Sequence, residues 1–144
     1  MIMSDMLSIQ NELVDEFAMF DDWMDKYEYI IELGKDLPLI NETYKTEDKL
    51  IKGCQSRVWL HACLEQDKVI FTADSDAIIT KGIIAIMIRV LSNQSPIAIL
   101  DTDLAFIDNI GLKEHLSSTR SNGLVSMIKQ MKMYALVFKS QQSN

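Results

Sequence analysis

Cys54 lies in Lys52-Gly53-Cys54-Gln55-Ser56-Arg57, a thiol beside a glycine with a cation on either side. Nearby positive charge favours the thiolate, which is the form that attacks sulfur or holds a metal. Two chemistries are open to it. One is nucleophilic sulfur exchange at Cys54 alone; the other is ligation of a metal or cluster together with His61 and Cys63, which share one face if their segment is a strand. A structural zinc site wants four ligands, and these three residues leave it short. Taken singly, Cys63 reads as a small apolar residue of a half-buried strand and His61 as a satisfied surface or core side chain. Cys54 itself reads as a nucleophile or as an inert turn thiol. Asp74-Ser75-Asp76 is the other polar cluster, suited either to capping a helix or to bracing the Cys54 loop. Arg57 and Arg120 are candidates for a partner surface or for stabilising the thiolate, against ordinary pairing with the many acids. No glycine-rich phosphate loop or paired-cysteine motif is present.

The elements that must carry these residues follow from hydropathy spacing. Ile9, Leu13, Phe17 and Phe20 predict one amphipathic helix, and Trp23, Tyr27, Ile30 and Ile31 a second that stops at Gly34. Pro38 excludes a continued helix, so Leu37 to Asn41 is expected as an extended link that packs its leucines. Val58, Leu60, Ala62 and Leu64 alternate with Arg57, Trp59, His61 and Cys63, which predicts a strand. Leu50 and Ile51 are expected as its neighbour and Val69 to Ala73 as a third strand, with Cys54 at the tip of the first hairpin. Gly53 can take positive φ there and let the loop turn tightly. Ala77 to Leu91 reads as a mostly buried central helix; Ser95-Pro96 starts a short one, and Leu104 to Leu112 is expected as another. Leu124, Met127, Ile128, Met131, Ala135 and Phe138 mark one face of a long last helix.

With 144 residues, 48% hydrophobic and 24% charged, the chain has the apolar content for one packed domain, residues 1–144. The formal charge is −7. Residues 1–50 hold 13 acidic and 4 basic residues, against 8 and 10 in residues 51–144. That asymmetry reads as a solvated helix face, or as a patch that steers a basic partner. A field of this sign argues against nucleic acid as a partner. The apolar run from Gly82 to Ile88 is too short to span a membrane, and acids occupy the place where a secretory signal would have its apolar stretch. A cytoplasmic protein with reduced thiols is therefore expected.

Gly53-Cys54-Gln55-Ser56-Arg57-Val58-Trp59-Leu60 resembles the signature of the SufE family, sulfur-acceptor proteins of iron–sulfur cluster assembly. Further segments resemble family motifs in the same order, and together the matches imply a SufE-like core over about residues 17–135. These are Tyr27-x-Tyr29-Ile30-Ile31-x-Leu33-Gly34 with Leu37-Pro38, Ala73-Asp74-Ser75-Asp76-Ala77 leading to Lys81-Gly82, and His115-Leu116-Ser117 with Arg120-x-Asn122-Gly123-Leu124. Asn93-Gln94-Ser95-Pro96 departs from the pattern, lacking the glycine that often precedes this proline.

The resemblance implies an α+β fold with a small antiparallel three-stranded sheet packed with several helices. It also implies that Cys54 takes the outer sulfur of a persulfide held by a SufS-like cysteine desulfurase and passes it to an iron–sulfur scaffold. The desulfurase would use pyridoxal phosphate, and this chain no cofactor or metal of its own. Gly53, Gln55, Ser56, Arg57, Asp74, Ser75, Asp76 and Arg120 are then loop and partner-interface candidates. A loop that both shelters and delivers sulfur needs two positions, so Cys54 is expected to tuck towards the central helix at rest and open on docking, with Gly53 as hinge. The alternatives are a metal- or cluster-binding scaffold module, or an acceptor for a related desulfurase in another sulfur pathway.

Overall fold

The computed structural model describes residues 2–53, 56–116 and 118–142. Cys54, Gln55 and Ser117 lie outside the described residues.

Two helices open the chain, α1 (Ile2–Ala18) and α2 (Trp23–Gly34). Their apolar faces bury Leu13, Phe17 and Ile30 as the helical spacing requires. Asp22 begins α2 by accepting a hydrogen bond from the Asp25 amide at 2.9 Å. After Pro38 the chain is extended: the Ala73 amide donates to Pro38 O and the Ile40 amide to Ala73 O, each at 3.0 Å. Leu37 and Ile40 are buried here, whereas Leu39 is 61% exposed, so the link packs only part of its apolar content.

The sheet has two strands, β1 (Val58–Glu65) and β2 (Lys68–Ser75), paired antiparallel from Val58 opposite Ser75 to Glu65 opposite Lys68. Gln66 and Asp67 both take positive φ, 51° and 66°, as a two-residue hairpin with right-twisted strands demands. Val58, Leu60 and Ala62 face the core together with Val69, Phe71 and Ala73. The expected third strand before Gly53 does not form. Single 3₁₀ turns at Glu42–Tyr44 and Glu47–Lys49 occupy most of that segment, and Leu50 touches Trp59 only as an isolated bridge, with the Ile51 amide donating to Val58 O at 2.9 Å. Two apolar residues flanked by turns are too few to build a ladder.

Helix α3 (Ile78–Leu91) lies across the sheet and is buried along most of its length. It crosses α2 where Gly34 meets Gly82. Short helices α4 (Pro96–Asp101), α5 (Phe106–Asn109) and α6 (Leu112–His115) follow, and Ser95 caps α4 by accepting from the Ala98 amide. The segment expected as one helix over Leu104 to Leu112 is thus split, with Gly111 at φ +78° between the pieces. The last helix, α7 (Ser118–Gln142), buries Leu124, Met127, Met131 and Ala135 against α4 and α3. The architecture is α+β, a two-stranded antiparallel sheet packed with helices.

Candidate functional site

The loop that carries Cys54 leaves the last 3₁₀ turn and enters β1, and its two flanks are held by different elements. On the upstream side Gly53 has φ +92°, a backbone region that L side chains rarely adopt. A Cβ at this position would stand 2.7 Å from Ser126 Oγ, so the glycine lies directly against α7. On the downstream side Ser56 Oγ meets Thr80 Oγ1 of α3 at 3.1 Å. Thr80 is buried and Ser56 half-buried, so the contact is shielded from water on the α3 side.

Arg57 and Asp76 then form a reciprocal pair. The Arg57 amide donates to Asp76 Oδ1 at 3.1 Å and the Asp76 amide donates to Arg57 O at 3.3 Å. Asp76 therefore ties the loop to the start of α3 instead of capping the helix. The N-cap position is Ala77, without a side-chain cap, and the Ala77 amide donates to Ser75 Oγ at 3.3 Å. Ser75 is a buried residue of β2.

Asp74 acts one strand residue further away. Its carboxylate receives Lys45 Nζ at 2.7 Å, Lys81 Nζ at 3.4 Å and the Ser75 amide at 2.8 Å, joining the first 3₁₀ turn, β2 and α3. Burial pushes this carboxyl upward, but the hydrogen bond from Lys45, with the Ser75 amide and the Lys81 charge, outweighs it and leaves the group below its ordinary value. Arg120 is exposed on the first turn of α7, where Nη1 donates to Tyr27 Oη of α2 at 2.7 Å. The sequence candidates thus fall into three sets: Gly53, Ser56, Arg57 and Asp76 at the loop flanks, Asp74 and Ser75 behind them, and Arg120 at the α2–α7 contact. Two anchors were missed, Thr80 and Ser126. Thr80 stands out as a hydroxyl in an apolar helix, while nothing local marks Ser126.

His61 and Cys63 share the outer face of β1, but each has a partner of its own. The His61 ring stacks on Tyr44 with centroids 3.9 Å apart, and burial, helped by the Lys49 charge, lowers its pKa from 6.5. The Cys63 thiol lies 3.7 Å from Glu65 Oε2, and burial, followed by that carboxylate, pushes its pKa up. A half-buried thiol beside an acid is poorly disposed to become a thiolate.

A family model described as "SufE: Fe-S metabolism associated domain" matches residues 11–135. The chain belongs to the SufE family. An uncharacterised SufE-like protein of Rhizobium meliloti is 42% identical over 130 residues, covering 87% of this chain and 93% of that protein. Another, of Rhizobium etli, is 44% identical over 133 residues and covers 88% and 89% respectively. In three dimensions the fold is similar to the solution structure of a hypothetical protein from Thermus thermophilus, with TM-score 0.76 and 19% identity over 92% of this chain and 96% of that one. That likeness concerns the fold alone. Membership links this SufE-family chain to Fe–S metabolism, and among the described residues no helix is long and apolar enough to cross a membrane.

Proposed function

We propose that this SufE-family protein is a sulfur carrier that accepts persulfide sulfur on Cys54 from a SufS-like cysteine desulfurase, stimulates that enzyme, and hands the sulfur on for iron–sulfur cluster assembly. The observation that carries the reading is the anchoring of the loop. Gly53 packs against α7, while Ser56 and Arg57 are fixed to the start of α3, and only Cys54 and Gln55 lie between these anchors. A cysteine that must meet a partner's persulfide needs its flanks held in place, and these contacts supply that support.

In the transfer step the Cys54 thiolate attacks the outer sulfur of the donor persulfide. The sulfur–sulfur bond of the donor breaks, its cysteine leaves as thiolate, and Cys54 retains the persulfide. No net oxidation occurs, so the carrier works without a cofactor or metal of its own; pyridoxal phosphate belongs to the desulfurase. The protein acts as one domain, in the cytoplasm; on docking the contact of Gly53 with α7 releases, and Gly53 is then the hinge on which the loop turns from sheltering its cargo to delivering it. Gln55, Asp74, Ser75 and Arg120 serve the loop or the partner surface around it.

Cluster scaffolding by Cys54, Cys63 and His61 is the weaker reading, because the Cys63 thiol is biased to its protonated form and the His61 ring is already stacked on Tyr44. Intact mass under non-reducing conditions decides between them. After incubation with a desulfurase, pyridoxal phosphate and cysteine, the native chain gains one or more sulfur atoms and Cys54→Ser gains none. With a competent desulfurase, absence of added sulfur on the native chain would reject the carrier role.

A further inference from the structure

An open groove of about 360 Å³ runs between the segment that precedes Cys54 and the facing side of α7. Lys49 and Lys52 line one wall and Lys129 the other, with Leu50 and Met133 as apolar lining between them. Among the described residues one acid, Asp48, lines the groove; the Thr46 hydroxyl donates to its carboxylate, and that hydrogen bond, with the charge of Lys49 beside it, holds its pKa below the ordinary value. Among the described residues no ion pair neutralises Lys49, Lys52 or Lys129. Lys49 also rests over the Tyr44 and Tyr134 rings. Three lysines thus face one acid, which leaves the groove with an excess of positive charge on a chain whose net charge is −7.

The groove is continuous with the loop. Its α7 wall includes Ser126, the residue against which Gly53 packs, and Lys52 directly precedes Gly53 in the chain.

We infer that this groove docks an acidic segment of the cysteine desulfurase, one that carries an apolar side chain among its acids, and so brings the donor persulfide to Cys54. The inference rests on the sulfur-carrier reading and adds where the donor binds. Charge complementarity argues for acids on the partner. The apolar lining, with Met133 55% exposed, argues for a polypeptide over a small anion. Lys52 and Lys129 are exposed, whereas a small-anion site would converge buried donors on one point.

The test uses the full chain, a SufS-like cysteine desulfurase from the same organism, and calorimetric titration at low and high NaCl. The double variant Lys52→Glu/Lys129→Glu is expected to bind about tenfold more weakly at low salt and to lose most of the salt dependence. Lys52→Gln/Lys129→Gln should fall between it and the native chain. Lys68→Glu is the control, a charge reversal at the opposite end of the hairpin, roughly 25 Å along the strands. It should bind as the native chain does, and thermal melts establish that each variant is folded. Native-like binding by the glutamate pair would overturn the inference, as would an equal loss in Lys68→Glu, which would mean a field effect of the whole molecule. Inorganic phosphate that competes more strongly than chloride at matched ionic strength would also overturn it, in favour of a small-anion site. Sulfur loading of Cys54 is read by mass in the same samples. Loading with undiminished binding by the glutamate pair defeats the docking inference alone, while a native chain that neither binds nor gains sulfur defeats the carrier reading with it.

Discussion

Asp74 and Asp76 stand two residues apart and hold different things, which makes their substitutions distinguishable. Asp76 accepts the Arg57 amide, so Asp76→Ala removes one anchor of the loop and leaves that amide to water. A destabilisation of about 1 kcal/mol is expected from urea unfolding, with several-fold faster alkylation of Cys54 by iodoacetamide. Asp76→Asn keeps an oxygen acceptor and should stay close to the native chain in both measurements; if it behaves like the alanine variant, charge and not the hydrogen bond is what matters. His61 makes a second prediction. Its folded pKa is lowered from 6.5 by burial and by the Lys49 charge, so the unfolded chain binds the proton more readily than the folded one. The corresponding stability is present in full above pH 6.5 and is lost as pH falls through the lowered folded value. Melting temperature should therefore decline with acidification over that interval, and His61→Phe should flatten this part of the curve. The phenyl ring can keep the stack on Tyr44 and removes a buried ring nitrogen, Nδ1, that has no hydrogen-bond partner, so stability at neutral pH should be unchanged or higher.

At the level of elements, the crossing of α2 and α3 shows how family-like motifs far apart in the chain answer one another. A Cβ on Gly82 would lie 2.0 Å from Ile30 O, and one on Gly34 would lie 2.7 Å from Gly82 N. Alanine in a helix interior normally gains about 1 kcal/mol over glycine, yet the obstacle here is main chain, which cannot turn aside as a flexible side chain would. Gly82→Ala should thus destabilise the protein by about 3 kcal/mol or more in denaturant unfolding; a neutral or stabilised variant would mean that the helices can separate at no cost. Gly34 was legible only as a helix stop, because the need for a small residue comes from α3, 48 residues further on. Strand β1 and the buried face of α7 were readable from local period alone, since each repeats its apolar residues at the spacing that its own geometry turns to the core. The expected strand before Gly53 failed for the converse reason: Leu50 and Ile51 are apolar, but two 3₁₀ turns fix the chain just upstream. Within the site, the Cys54 motif was plain by resemblance, whereas the contacts of Gly53 with Ser126 and of Ser56 with Thr80 join residues that no local pattern relates.

Across the whole molecule the two signs of charge are segregated, and this has a consequence for stability separate from any partner. Thirteen of the 21 acids fall in residues 1–50, largely on α1 and α2, while three lysines of the groove lie beside the Cys54 loop. On α2, Asp25, Glu28 and Glu32 follow at i, i+3 and i+7, so that like charges stack along one stripe. Lys35 offsets Glu32 at 3.1 Å, but both groups are about two-thirds exposed, and a surface pair of this kind contributes at most about 1 kcal/mol. Repulsion within such a stripe costs about 0.2–0.5 kcal/mol per like pair and is screened by salt. The Debye length falls from roughly 30 Å at 0.01 M to about 8 Å at 0.15 M, so the longer-range repulsion is removed first and the 3.1 Å ion pair survives better. Thermal stability should accordingly rise by a few degrees over that range of NaCl. Glu28→Gln, which takes the middle acid out of the stripe, should melt slightly higher than the native chain at low salt and gain less from added salt. A native melting temperature that falls with salt would instead show that attraction, through contacts such as Arg89 to Glu16 at 2.5 Å, outweighs the repulsion of the acidic third.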